Sequence, residues 1–374
     1  MKKTIFEQLT PGMITGEDVY ALNGQLLIPK GVALTEVMLN LLKMHSIRMI
    51  RIDDSVNAVA TVSPEDAAYL GVHIPEFVSN LSAETRKERI HEIKQFKTNY
   101  KESLSYFQVA INNLVEKNTT LDVSTILNQT VALLNTGKKH ASILEMLVYM
   151  KEFDNDIYAH SINVSLLCNM LAHWLDYSEE DCQMAAACGM FHDIGMMTIP
   201  EEMLKKTDPL THQERDVIRA HVEKGYNILG NYSVDETVKL SALMHHERCD
   251  GSGYPHKLKG AQIDRFAKLV TICDIYNAMT SERPYRKSLS PFSVIEHFES
   301  EGLRKFDTRS ILLFMENTAN TYLNCPVRLN NGQVGYVVFI NRSRLGRPTV
   351  QIGTDFVDLS REKDLYITEL LPVV

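Results

Sequence analysis

Histidine and aspartate recur together through the middle of this chain in a pattern that could hold metal. His192-Asp193 stands in GMFHDIGMMTIP, His221 in RAHVEKGYNIL, His245-His246 in MHHERCDGSGYP and Asp274 in ICDIYNAMTSERPYR, with Asp156 and His160 ahead of them at a spacing of i, i+4. On a helix that spacing puts two side chains on one face, so both can point into a common site. Adjacent helical side chains point about 100 degrees apart, so His245-His246 suits two ions side by side better than one. Neutral imidazoles supply borderline nitrogen ligands, while aspartate can bridge two ions and neutralise their charge. A single His-Asp dipeptide is more often a surface or capping feature; the weight lies in the series. With no cysteine in the cluster and several carboxylates, iron or manganese is favoured over structural zinc. Two such ions about 3.5 to 4 Å apart would deprotonate a bridging water and clamp phosphate oxygens for in-line hydrolysis of a phosphodiester. Such chemistry needs no protein nucleophile.

The composition narrows what such a site can serve. With 374 residues and 44% hydrophobic content, the chain can bury a substantial core across two or three domains. Its 47 acidic and 39 basic residues give a net charge of −8, which argues against general affinity for a nucleic acid polymer or an anionic membrane. A phosphate-bearing ligand must therefore be held locally. The six cysteines are scattered with no CxxC pair and read as reduced, mostly buried thiols. Polar residues interrupt the apolar stretch of MKKTIFEQLTPGM, and no run approaches the ~18 apolar residues of a membrane span. The cytoplasm is the expected location.

The elements that must position these residues point to a mainly α protein with an all-helical core, a small N-terminal α/β module and a C-terminal β module. Residues 1–60 read as the α/β module, with strands at Val19-Tyr20, Leu26 to Ile28 and Met49 to Ile52, a turn at Asn23-Gly24, and a helix capped by Thr35 and carrying Val37, Met38, Leu41 and Leu42. Residues 61–140 read as linker and helical connector. Within it Ile90, Ile93, Tyr100, Leu104, Phe107, Ile111 and Leu114 recur at gaps close to 3.5 residues. Aromatic and lysine interruptions favour a helix packed on its own domain over a homodimer seam. Residues 141–320 continue as helices, with start signals in this stretch at Ser178 with Asp181 and Thr211 with Glu214, and another just before it at Asp122. Residues 321–374 turn to strand patterns at Pro326 to Leu329, Val334 to Ile340, Thr349 to Ile352 and Leu365 to Ile367.

The ordered series of histidines and aspartates, the string HHERCDGSGYP with Gly253-Tyr254-Pro255, and the downstream TSERPYR together resemble the HD-GYP branch of the HD phosphohydrolase superfamily, over roughly residues 141 to 320. The resemblance implies a metal-dependent phosphodiesterase that hydrolyses cyclic di-GMP to pGpG and/or GMP through a metal-bridging hydroxide. It implies metal ligands at His160, His192, Asp193, His221, His245, His246 and Asp274, with Asp193 bridging and His192-Asp193 at the catalytic centre. A carboxylate at Asp156, four residues before the first histidine, implies a third ion, so two or three divalent ions are expected, iron or manganese. Arg283 and Arg286 stand where the family contacts dinucleotide phosphates, work for which the planar guanidinium fork is suited. Asp154 is placed to meet a guanine edge or to cap a helix beginning near Asp156. Tyr254, flanked by glycine, is open to three roles: substrate stacking, loop packing or recognition of a signalling protein partner. The flanking LTPGM and VRLNNGQVGYVVFINR resemble modules that accompany this domain.

Two positions depart from the family's pattern. Where it reads HDIGK, this chain has Met196, which brings neither a proton nor a charge to substrate phosphate. The ligand set is intact, so activity is the primary reading. The alternatives are a slow or inactive cyclic-dinucleotide receptor, or a hydrolase of another dinucleotide such as cyclic GMP-AMP or linear pGpG. Asn277 in DIYNAMT stands where aspartate is commoner and removes one negative charge near the site.

Overall fold

The structure, a computed structural model, describes all residues except 1, 11–12, 21–25, 29, 32–33, 35–37, 40–41, 44–46, 54–82, 118–121, 136–141, 154–155, 205, 283–286 and 372–374. The turn at Asn23-Gly24 and the helix start at Thr35 fall outside the described residues. The chain divides into two compact units, one made of Met1–Lys94, Lys139–Ala141 and Ala319–Val374, the other of Gln95–Lys138 and Ser142–Thr318.

In the first unit, β1 (Lys2–Ile5) pairs antiparallel with β4 (Met49–Ile52), and β2 (Val19–Tyr20) with β3 (Leu26–Ile28). The C-terminal segment forms an antiparallel five-stranded sheet in the order β8-β7-β6-β5-β9, from β5 (Pro326–Leu329), β6 (Val334–Phe339), β7 (Thr349–Ile352), β8 (Asp355–Asp358) and β9 (Ile367–Leu370). Gly332 turns the β5–β6 hairpin at φ +87°, a conformation glycine adopts without steric cost. The last strand begins at Ile367, where the sequence pattern ends its expected strand. Strand β8 was not expected, because aspartates at both ends mask its two apolar residues. Asn324 Nδ2 donates to the Leu27 carbonyl at 2.5 Å, which joins the C-terminal segment to β3 within this unit.

The second unit is helical: α2 (Val123–Ala132), α3 (Ile143–Val148), α4 (Ile157–Trp174), α5 (Glu179–Phe191), α6 (Glu201–Leu204), α7 (His212–Arg219), α8 (His221–Gly230), α9 (Glu236–Met244), α10 (Arg265–Thr280), α11 (Pro291–Glu301) and most of α12 (Thr308–Thr321). The unit boundary falls within α1 (Ala83–Lys117). All seven seam residues from Ile90 to Leu114 are buried in the single chain, which fits a helix packed on its own protein. The expected caps form: Asp122 accepts from Thr125 N–H at 3.0 Å, Ser178 from Asp181 N–H at 3.1 Å, and Thr211 with Glu214 closes a capping box.

Helix α4 is buried on nearly every side, the mark of a central helix. Its polar residues survive there because each finds a partner. Ser165 Oγ donates to the Ala186 carbonyl at 2.8 Å, Asn169 Nδ2 to the Cys182 carbonyl at 2.9 Å, and Tyr100 OH donates to Asn163 Oδ1 at 2.7 Å. Alanines 185 to 187 and Gly189 let α5 lie close against α4. The molecule is mainly α with small sheets near both ends of the sequence. Among the described residues no helix is long and apolar enough to cross a membrane.

Candidate metal centre

Most of the histidine and aspartate series sits at helix ends. His192 closes α5, Asp193 follows it, His221 opens α8 and His245 follows α9. His160 and Asp274 come from the buried bodies of α4 and α10. Two groups result: Asp193, His221, His245 and His246 in one, His160, His192 and Asp274 in the other, with the potential ligand atoms of each group within 4.8 Å of one another.

Asp193 joins the groups through its two oxygens. Its Oδ1 lies 3.2 Å from His221 Nε2 and 3.4 Å from His245 Nε2, while its Oδ2 lies 3.5 Å from His192 Nε2 and 3.9 Å from His160 Nε2. His160 Nε2 also stands 3.1 Å from Asp274 Oδ1.

The far sides of four rings decide which nitrogen is available. His192 Nδ1 meets the Gly189 carbonyl at 2.7 Å, His221 Nδ1 the Ile218 carbonyl at 2.7 Å, and His245 Nδ1 the Ala242 carbonyl at 3.0 Å. His160 Nδ1 meets Asn277 Oδ1 at 2.7 Å. An oxygen acceptor requires the proton on Nδ1, so in the neutral ring the lone pair is on Nε2, facing the centre. His221 and His245 thus oppose two lone pairs at 3.3 Å across the Asp193 carboxylate. His192 Nε2 is buried with no hydrogen-bond partner at all. Acceptors without donors are costly unless a cation joins them. With metal–ligand bonds of about 2.1 Å, ligand atoms around one ion stand about 3.0 to 3.4 Å apart, the spacing found between His160 and Asp274 and among Asp193 Oδ1, His221 and His245. The residues present therefore fit metal ions.

The electrostatics keep most of the ligands deprotonated. Burial lowers the His192 pKa to about 4, and burial with the His245 charge also holds His246 well below the ordinary imidazole value. Burial would raise the carboxyls of Asp193 and Asp274, but neighbouring histidine charges and hydrogen bonds outweigh it and hold both below the usual range. His221 shifts the other way: burial lowers it, and the bond to Asp193 more than compensates.

Three expectations change on the structure. His245 and His246 bring their potential ligand atoms into one group rather than two, just after α9 ends at Met244. Asp156 precedes α4 with extended backbone, φ −94° and ψ 122°, so it does not share a helical face with His160. Its Oδ1 accepts from the Tyr158 and Ala159 amides at 2.7 and 3.2 Å, and its Oδ2 from Gln108 Nε2 at 2.7 Å. It stands outside both groups as the cap of α4, the role weighed for Asp154. Asp154, Arg283 and Arg286 lie outside the described residues.

Tyr254 stacks on His246 with ring centroids 4.7 Å apart and planes 24° apart, and the Arg219 guanidinium lies 5.1 Å from the Tyr254 centroid on the tyrosine ring. Buried Glu247 holds this loop by accepting from the His256 and Leu258 amides at 2.7 and 2.9 Å. Gly253 is required here, since a Cβ would stand 2.4 Å from the Arg248 nitrogen and 2.5 Å from the His246 carbonyl oxygen. The contacts of Asn277, Glu247 and Arg219 were not legible beforehand. Only Asn277 carried a signal, one helical turn after Asp274 and so on the same face.

The HD domain family matches residues 124–309. A cyclic di-GMP phosphodiesterase of Pseudomonas aeruginosa is 33% identical over 215 residues, 57% of this chain and 52% of that protein. A 3′3′-cGAMP-specific phosphodiesterase of Vibrio cholerae is 34% identical over 168 residues, 44% of this chain and 38% of that protein. The chain thus spans about half the length, or less, of these curated relatives. A solved HDG"Y"P protein from Bdellovibrio bacteriovorus shares the fold with a TM-score of 0.50 at 16% identity, covering 84% of this chain and 97% of that one. With the HD and GYP motifs on one helical unit and the family match across it, the chain belongs to the HD domain family, in its HD-GYP branch.

Proposed function

We propose that this protein is a metal-dependent phosphodiesterase acting on cyclic di-GMP to release pGpG and/or GMP. The observation that carries the reading is Asp193, whose two oxygens face two separate histidine groups and so suit a pair of divalent ions. Carboxylates and imidazoles without a thiolate favour iron or manganese. When bound, such ions supply Lewis-acid charge to a phosphodiester and lower the pKa of water.

The chain's own part is to present lone pairs inward and keep protons outward, at the Nδ1 atoms of His160, His192, His221 and His245. Asp193 and Asp274 bring negative charge that offsets the cations. Arg283 and Arg286 hold the dinucleotide phosphates in this reading. A third ion at Asp156 would compete with Gln108 for Oδ2; metal content of wild type against D156A decides it, a fall from three to two supporting the third site.

Iron- or manganese-loaded protein is incubated with cyclic di-GMP and the products are separated by chromatography. Appearance of pGpG or GMP above the H192A and D193A controls is expected. No turnover above those controls overturns the enzyme reading, and binding without turnover assigns the chain as a receptor, consistent with Met196. A panel including 3′3′-cGAMP belongs in the same experiment, because relatives in Vibrio cholerae carry that specificity in their names.

A further inference from the structure

Arg219 is the last residue of α7, exposed, and two positions before His221. No described residue gives its side chain a carboxylate or a hydrogen bond; its contact is the face of Tyr254. A guanidinium stacked on a ring keeps its N–H edge free to donate, and stacking fixes where that edge lies. Tyr254 in turn rests on His246, one of the ligands grouped with Asp193. The cation is thereby held one ring beyond the ligands.

The local charge balance gives that cation a purpose. The chain is acidic overall, and the residue after Gly195 in the HD segment is Met196, which brings no charge. A dinucleotide carries two phosphates, of which only one can lie over the metal pair at a time. Arg219 contacts Tyr254 and stands in neither ligand group, so it suits a phosphate other than the one over the metal pair.

We propose that Arg219 binds the second, unreacting phosphate of the substrate, with Tyr254 as the platform that fixes it. This rests on the phosphodiesterase reading. It adds a contact that the motif spacing did not suggest.

The test compares metal-loaded wild type, R219A and R219K on cyclic di-GMP, 3′3′-cGAMP and linear pGpG, with metal content measured in each. Losing a fork on phosphate should raise KM on the cyclic dinucleotides by about tenfold or more, with kcat within about threefold and metal content unchanged. R219K, which keeps charge without the fork, should fall between. An unchanged KM overturns the proposal. So does a fall in kcat accompanied by metal loss, which would make Arg219 a prop for Tyr254 and His246. If wild type turns over none of the three, the phosphodiesterase reading fails on its own, and equilibrium dialysis against the same compounds decides Arg219: a tenfold loss of affinity in R219A supports it, and equal affinity overturns it. Wild type that neither turns over nor binds any of them overturns both.

Discussion

His160 is gripped from both sides by one helix. Asp274 meets its Nε2 at 3.1 Å and Asn277, one turn later, meets its Nδ1 at 2.7 Å. Asn277 is therefore a positioning residue. Replacing it by leucine should weaken the ion held by His160, His192 and Asp274 by about 10- to 100-fold while the ion at Asp193, His221, His245 and His246 stays. N277D, which keeps the acceptor, should restore it. Chelator competition reads both, and equal affinity in N277L would show that packing alone orients the ring. A second prediction concerns His192 in metal-free protein. Its folded pKa of about 4 lies below the unfolded value of 6.5, so the unfolded chain binds the extra proton between those limits. The stability it contributes is complete above pH 6.5 and is lost as pH falls toward 4, by about 3 kcal/mol. His246 adds to this slope and His221 opposes it. Urea unfolding at pH 7 and 4.5 should show H192Q flattening the profile; a variant with the wild-type slope would remove His192 from the account.

At the level of elements, the short segment after Asp193 lies so close to α8 that a Cβ on Gly195 would stand 1.9 Å from the His221 carbonyl oxygen. Backbone cannot yield as a flexible side chain can. G195A should therefore separate Asp193 from His221, cost about 2 kcal/mol or more, and lower metal content at that group. Retention of full metal content would show that the segment shifts as a whole. D156A should cost about 1 kcal/mol of unfolding free energy through the lost cap of α4, read by denaturant melts, with D156N recovering part of it. These junctions also show what sequence alone reveals. Asp122, Ser178 and Thr211 were legible as caps because a short acceptor followed by helical periodicity has one local use. The end of α9 at Met244 was not, since MHHER contains no glycine or proline to mark it, and neither was the single group that His245 and His246 join. Candidate ligands could be read from residue type; their grouping depended on where α5 and α9 stop and α8 starts.

For the whole molecule, ligands drawn from α4, α5, α8, α9 and α10 converge on one place, so metal binding and folding of the helical unit are linked. Free metal at 100 times its dissociation constant should stabilise the folded form by about 2.7 kcal/mol per independent site. Adding a chelator should lower the melting temperature of wild type and leave D193N nearly unaffected. An equal shift in both would separate the ions from this centre. The order of those five helices was legible as an all-α core, but their convergence required long-range packing that no local pattern encodes.

The supports of the five imidazoles differ in a way that bears on how such a protein varies over generations. His192, His221 and His245 lean on main-chain carbonyls, which every amino acid possesses, so no codon change at the supporting positions deletes the acceptor. His160 and His246 lean on the side chains of Asn277 and Tyr254, which a single nucleotide change can replace. Inherited loss of a ring's partner should therefore concentrate at positions 277 and 254, whereas at the backbone-held rings a substitution can act only by displacing the main chain, as a side chain at Gly189 would against Val164.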